Sequence, residues 1–139
     1  MGEKGKEDPE MKAFLIDTDV LIDHLRGEEK ARRFLQQWKP PEASLHYSVI
    51  SKAEIYSGVM PDEEERVSFL FRSMNEVPID GKVAEDAGRY RKAFLASHKL
   101  LLPDALIAAS AKRAGAILVT LNQKHYPMKD IEVRIPYKK

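Results

Sequence analysis

The feature that most constrains the fold is a short apolar run, AFLI at residues 13–16, that leads directly into Asp17, Thr18 and Asp19. The run has the length of a strand, and it lacks the alternation expected of a strand with one face in water. We therefore expect it to be buried on both faces, as strands are in a parallel sheet. Further strand-like runs follow at residues 45–50, 76–79, 116–120 and 131–135. Pro78 favours an edge position for the run that contains it, and the last run is expected to close the sheet.

Segments with helical patterns fill the intervals between these runs. Their apolar residues recur at helical spacing, and Pro or Gly marks several of their ends. Pro103 lies at a first-turn position of one such segment and Gly115 just past its end, which is the usual asymmetry. We predict helices at residues 20–27, 28–38, 51–59, 61–74, 81–99 and 103–115. Strands that alternate with helices predict an α/β domain with a mostly parallel sheet and helices on both faces.

The length of 139 residues is that of one domain. We predict this domain at residues 11–139, because the patterned segments begin at Met11, which could be the native start. The preceding stretch, MGEKGKEDPE at residues 1–10, consists almost entirely of charged residues and glycine. We predict a disordered tail there, because such a composition has nothing to bury.

Composition excludes several classes of function. The chain has no cysteine, which rules out disulfides, zinc–thiolate sites and thiol chemistry. Its net charge of +1 creates no overall field toward nucleic acid or membrane, so contact with a polyanion needs a local patch or a metal. No apolar run approaches the roughly 20 residues of a membrane span, and no signal peptide is visible. We therefore expect a cytoplasmic protein that makes no membrane contact.

Polar residues follow the predicted strands where a sheet edge would gather them. Asp17 follows the first strand, and Thr120 and Asn122 lie at the end of the AILV run. Glu54 lies in the helix after the second strand, and Asp104 lies in the first turn of the alanine-rich helix. Because sites in such sheets form at the carboxyl ends of the strands, a doubly wound sheet can bring these residues to one edge.

The chemistry of these side chains indicates a cation. Several carboxylates in one cleft repel one another, and they stay ionised together only if a cation neutralises them. The candidate ligands are all oxygen atoms, without a histidine cluster, which favours Mg²⁺ or Mn²⁺ over zinc. Such an ion suits phosphodiester chemistry, because it lowers the pKa of a bound water and stabilises charge on the leaving oxygen.

Each acid also has a purely structural interpretation. Asp17 can accept hydrogen bonds from loop amides, and Asp19 is more typical of an N-cap for the following helix. Glu54 can be a solvated helical acid, and Asp104 can be a first-turn acid favoured by the helix dipole. Three of the four histidines, His24, His46 and His125, lack an i,i+4 partner and are expected at the surface or in the core. The prediction of a site therefore rests on the joint placement of the acids.

Four segments resemble PIN domains and occur in the order seen in that family: FLIDTDVLIDHL, SKAEIYSG, PDALIAASA and ILVTLNQKHYP. The resemblance is closest to VapC-type toxins of prokaryotic toxin–antitoxin pairs, and it covers nearly everything from Met11 to the C-terminus. It implies a three-layer α/β/α fold with a central, mostly parallel sheet of about five strands. It also implies a Mg²⁺- or Mn²⁺-dependent endoribonuclease that acts on RNA, forms a homodimer and is held in check by a cognate VapB-like antitoxin.

The resemblance assigns roles to residues by their position in these segments. Asp17, Glu54 and Asp104 match the acids of the family and would be its catalytic metal ligands. Thr18 and Thr120 would orient those ligands without binding the metal themselves.

The chain departs from the family pattern at the fourth acid. Many PIN domains carry an aspartate after the LVT strand, whereas this chain has Asn122, with His125 where some relatives have aspartate. Asn122 would bring an oxygen ligand but no charge. Asp19 is a candidate to compensate, so both residues are candidates for the fourth ligand.

The sequence alone is also compatible with other functions. A non-catalytic PIN-like module could bind RNA or an antitoxin without cutting, and a PIN nuclease could process RNA outside a toxin–antitoxin system. A haloacid-dehalogenase-type phosphatase would use the Asp-Thr-Asp at residues 17–19. Only 19 residues follow Thr120, however, which leaves no room for the later elements of that fold.

Overall fold

The computed structural model describes residues 11–139, which form five strands and six helices. The strands are β1 Lys12–Ile16, β2 Ala43–Ser48, β3 Asn75–Val77, β4 Ile117–Val119 and β5 Val133–Arg134. The helices are α1 Thr18–Leu25, α2 Glu29–Gln37, α3 Val49–Tyr56, α4 Glu64–Arg72, α5 Gly81–His98 and α6 Leu102–Ala114. Within this part of the chain, no helix has both the length and the apolar character to cross a membrane. The tail predicted at residues 1–10 lies outside the described residues.

All strand pairs are parallel, and the strand order is β3-β2-β1-β4-β5. The chain builds one half of the sheet outward from β1 to β3 and then crosses back to place β4 on the other side of β1. The predicted α/β fold with a parallel sheet of about five strands is confirmed. The edge position predicted from Pro78 is also confirmed, because β3 ends at Val77 and lies at one margin of the sheet.

Two hydrophobic cores cover the two faces of the sheet. Phe14 and Ile16 of β1 face the core formed with α1, α2 and α4, whereas Leu15 faces the core formed with α5 and α6. All three side chains are fully buried. The absence of alternation in AFLI therefore has the predicted cause, and the three-layer α/β/α architecture is confirmed.

The second strand begins and ends two residues earlier than predicted, and it ends at Ser48 because this serine caps the next helix. The Ser48 hydroxyl accepts a hydrogen bond from the backbone N–H of Ile50 at 3.3 Å and caps α3. Val49 and Ile50 are therefore helical, although their β-branched side chains favoured a strand in the sequence. A serine cap supplies an acceptor for an otherwise unpaired helix N–H, and this local bond overrides the apolar pattern.

The cap of α1 differs from the prediction as well. Asp19 was expected to cap this helix, but the helix begins at Thr18 and its N-cap is Asp17. The Asp17 carboxylate accepts from the backbone N–H of Thr18 at 2.7 Å. The expectation for Asp19 was wrong because the turn into the helix follows the strand immediately, which places Asp19 in the first helical turn.

Candidate active site

Several of the predicted polar residues meet where the order of the strands reverses, between β1 and β4. We call this group the acidic pocket; it comprises Asp17, Thr18, Asp19, Glu54, Asp104, Thr120, Asn122 and Tyr126. Asp17 follows β1 and Thr120 follows β4, and these two strands are hydrogen-bonded neighbours. The backbone N–H of Asp17 donates to the carbonyl of Val119 at 2.9 Å, which ties the two strand ends together. In open parallel sheets, the crevice at such a reversal is the usual place for a ligand.

Asp17 is the most enclosed acid of the pocket, with 6% of its surface exposed. Its Oδ1 accepts a hydrogen bond from the backbone N–H of Thr18. Its Oδ2 accepts from the Thr120 hydroxyl at 2.8 Å and from the Tyr126 hydroxyl at 2.8 Å. Burial raises the pKa of this carboxyl from 3.8 to about 7, and the negative charge of Asp19 contributes to the same shift. The three donors oppose the shift, since they favour the ionised form.

Asp19 lies beside Asp17 and is held by the segment after β4. Its Oδ2 accepts from the backbone N–H of Leu121 at 3.1 Å and from the Asn122 amide at 2.9 Å. Its Oδ1 is buried and has no hydrogen-bond partner within the described chain. Burial raises the pKa of Asp19. Asn122 therefore supports a second, half-buried carboxylate in the pocket. A buried unpaired oxygen such as its Oδ1 is the feature that a cation would satisfy.

Asp104 enters the pocket from the first turn of α6. Its Oδ1 lies 3.4 Å from the Tyr126 hydroxyl, and its Oδ2 lies 3.5 Å from Nδ1 of His125. Burial raises the pKa of Asp104, whereas His125 and the Tyr126 hydrogen bond lower it. His125 was expected at the surface or in the core, and it is exposed; its ring also lies against Asp104.

Glu54 lies on α3 at the more exposed side of the pocket. The Thr18 hydroxyl donates to its Oε1 at 2.7 Å and contacts the Ser51 hydroxyl at 2.8 Å. Because Thr18 directly follows Asp17, this bond links Glu54 to the end of β1. A short hydroxyl–carboxylate bond therefore connects the first residue of α1 to the acid on α3.

Hydroxyl groups connect the acids of the pocket by hydrogen bonds. Asp17 and Asp104 are joined through Tyr126, and Glu54 reaches the pocket through Thr18. Across residues 11–139, no three acidic or imidazole side chains converge as an already formed metal-binding cluster. The donors are nevertheless all oxygen, three of the carboxyls have raised pKa values, and one buried oxygen is unpaired. This set of groups fits a hard divalent cation.

Sequence reasoning missed Tyr126 as a pocket residue. It belongs to the ILVTLNQKHYP segment, but nothing in its spacing marked its hydroxyl as a partner of two acids. The ring packs in the core with α5 and α6, so the residue also looks like an ordinary core aromatic. Burial and the carboxylates of Asp17 and Asp104 raise the pKa of the Tyr126 hydroxyl, which therefore stays protonated and acts as a donor.

The fold and the pocket together define an α/β domain that gathers acids at the switch point of a parallel sheet. The family model described as "PIN domain" matches residues 14–131. The chain belongs to the PIN domain family, and the resemblance carried by its four sequence segments is confirmed.

The chain is similar to ribonucleases and to a toxin–antitoxin structure along most of its length. Ribonuclease VapC10 of Mycobacterium tuberculosis is 38% identical over 116 residues, which are 83% of this chain and 86% of that protein. Ribonuclease VapC19 of the same organism is 31% identical over 115 residues, which are 82% and 92% of the two chains. A toxin–antitoxin complex from Klebsiella pneumoniae superposes with a TM-score of 0.73 at 29% identity and covers 90% of this chain and 98% of that chain.

Proposed function

We propose that the protein is a metal-dependent endoribonuclease, with Mg²⁺ or Mn²⁺ as its cofactor, and that it acts as the toxin of a VapBC-type pair. The observation that carries this proposal is the buried Asp17 at the switch point, together with the unpaired Oδ1 of Asp19 beside it. Similarity to two ribonucleases supports RNA as the substrate. The oxygen-only donor set supports the choice of cation.

Each pocket residue has a role that follows from its contacts. Asp17, Asp104 and Glu54 hold the cation, and Asp19 adds the fourth charge that Asn122 does not bring. Thr120 fixes the Asp17 carboxylate by a hydrogen bond, and the Thr18 hydroxyl does the same for Glu54; their bonds measure 2.8 and 2.7 Å. Such outer contacts keep metal-binding side chains in one orientation.

The reaction that fits this pocket is hydrolysis of a phosphodiester bond. When bound, a divalent cation supplies a more acidic water and neutralises charge on the phosphate. Water adds to phosphorus, the bond from phosphorus to the 3′ oxygen breaks, and that oxygen takes up a proton. The products carry a 5′-phosphate and a 3′-hydroxyl, and no side chain of the pocket becomes covalently attached.

The proposed partners are a VapB-like antitoxin and a second copy of the chain. The superposed Klebsiella pneumoniae structure is a toxin–antitoxin complex, which supports a partner of that kind. Expression of the wild-type protein without a partner is then expected to arrest bacterial growth, whereas Asp104→Asn is not. An active nuclease that leaves growth unaffected would favour an RNA-processing role instead, and such a nuclease would act outside any toxin–antitoxin system.

Cleavage of total cellular RNA by the purified protein tests the enzymatic proposal. The arms contain Mg²⁺, Mn²⁺ or EDTA, with Asp104→Asn as the pocket variant. Asp62→Asn is the matched control, because it makes the same change at an exposed acid in the turn before α4. We expect metal-dependent cleavage by the wild type and by Asp62→Asn. The rate of Asp104→Asn should fall by at least about 100-fold, because a lost ligand weakens binding of the cation that would stabilise charge in the transition state.

Two results would contradict the proposal. Cleavage that persists in EDTA would exclude a role for the cation. Absence of cleavage from every RNA in the mixture, with either metal, would favour the alternative of a non-catalytic module that binds RNA or an antitoxin.

A further inference from the structure

The Tyr126 hydroxyl occupies the centre of the acidic pocket. It donates to Oδ2 of Asp17 at 2.8 Å and lies 3.4 Å from Oδ1 of Asp104. Only 4% of the residue is exposed. We propose that Tyr126 is a positioning residue that sets the Asp17 carboxylate for cation binding, a role that rests on the function proposed above.

The hydrogen bonds around Asp17 decide which of its oxygens faces a cation. A carboxylate oxygen has two lone pairs, and Oδ2 receives two donors, the hydroxyls of Thr120 and Tyr126. Oδ1 receives one, the backbone N–H of Thr18. One lone pair therefore remains on Oδ1, and the geometry points to Oδ1 as the ligand atom. Without the tyrosine hydroxyl, the carboxylate loses one of its three donors and can rotate.

The position of the hydroxyl is fixed by the hydrophobic core rather than by the pocket. The Tyr126 ring is part of the core that contains Leu15 of β1 and Ala108 of α6. The same helix carries Asp104, and β1 leads into Asp17. One rigid body of packed side chains thus holds the hydroxyl and both of the elements that supply its neighbours, as a preorganised ligand site requires.

The chain contains a matched control for removal of this hydroxyl. Tyr90 on α5 donates from its hydroxyl to Oδ1 of Asp130, also at 2.8 Å. Its side chain is buried in the same core as that of Tyr126. Asp130 also pairs with Lys112, at 3.1 Å. Among the described residues, no hydrogen bond or ion pair joins these three side chains to the pocket acids. Tyr90→Phe therefore removes the same kind of phenol–carboxylate bond at a place where no cation is proposed.

The test measures the affinity of the full chain for Mn²⁺ alone, by electron paramagnetic resonance of the free ion, with no RNA present. Wild type, Tyr126→Phe, Tyr90→Phe and Asp104→Asn are titrated in parallel, and thermal unfolding in EDTA reports the fold of each. Loss of a hydrogen-bond partner behind a metal ligand costs about 10- to 100-fold in affinity. We expect Tyr126→Phe to bind Mn²⁺ at least about 10-fold more weakly than wild type and Tyr90→Phe to bind it unchanged.

The possible outcomes distinguish a failure of the role proposed for Tyr126 from a failure of the proposed cation site itself. If Tyr126→Phe unfolds at a lower temperature but binds Mn²⁺ within about twofold of wild type, its hydroxyl is structural only and the proposal is wrong. Equal losses of affinity in both tyrosine variants would also overturn it, because the effect would then be a general loosening of the core. If the wild type binds no Mn²⁺, the cation site proposed for the enzyme fails together with the role of Tyr126.

Discussion

At the scale of single residues, hydroxyl groups organise the charges of the pocket. Thr120 and Tyr126 donate to Asp17, and Thr18 donates to Glu54, all at 2.7–2.8 Å. A buried carboxylate that keeps its charge needs such donors, because desolvation alone would neutralise it. The donors only partly offset burial, since the pKa of Asp17 is still raised to about 7.

The raised pKa of Asp17 predicts how stability depends on pH in the absence of divalent cations. The carboxyl holds its proton more tightly in the folded protein, where its pKa is about 7, than in the unfolded chain, where it is near 3.8. Between these values the folded state binds more protons, so the free energy of unfolding falls as the pH rises. Asp17→Asn lacks this titration. At pH 8 it should be more stable than wild type by about 1–3 kcal/mol.

Urea unfolding in EDTA between pH 4 and pH 8 measures this difference. The advantage of Asp17→Asn should shrink toward pH 4, where the wild-type carboxyl is protonated. Asp62→Asn, the same substitution at an exposed acid outside the pocket, is unfolded in parallel as the control for the substitution itself. Parallel curves for wild type and Asp17→Asn would show that Asp17 does not titrate in this range.

At the scale of helices and strands, the sequence predicts those features of the fold that depend on local chemistry. Uninterrupted burial in AFLI is visible from its lack of alternation, and the end of α6 is visible from Gly115, which has a φ of 61°. The start of α3 was misread, since one serine cap outweighed the apolar residues after it. The placement of Tyr126 could not be predicted, because it depends on the path of the irregular segment after β4, which has no periodicity to interpret.

The end of α6 gives a prediction about glycine. Gly115 adopts a left-handed conformation that a Cβ disfavours, so Gly115→Ala should destabilise the protein by about 1 kcal/mol. Gly88 lies in the middle of α5 with open space where a Cβ would be, so Gly88→Ala should stabilise it by about 0.5–1 kcal/mol. Thermal or urea unfolding of the two variants measures whether each change lowers or raises the stability as predicted. Stabilisation by both changes would contradict the assigned cap.

At the scale of the whole molecule, the topology explains how distant parts of the chain form one pocket. Its residues come from four regions, namely 17–19, 54, 104 and 120–126. The crossover from β3 back to β4 places the ends of β1 and β4 side by side. From there α3 and α6 bring their acids to the same edge. The placement of Asp17 beside Thr120 was predictable from the sequence because the ends of parallel strands meet at one edge, whereas the hydroxyl links between the acids required the packed structure.

In the proposed function, water directed by this acidic pocket hydrolyses RNA. The most direct test is the chemistry of the product ends, measured by mass spectrometry after cleavage in ¹⁸O-labelled water with Mg²⁺ or Mn²⁺, with Asp104→Asn run in parallel. We predict 5′-phosphate ends that carry one ¹⁸O atom, unlabelled 3′-hydroxyl ends, and neither product from the variant. Ends with 2′,3′-cyclic phosphate would contradict hydrolysis by water, because they require attack by the RNA's own 2′-hydroxyl.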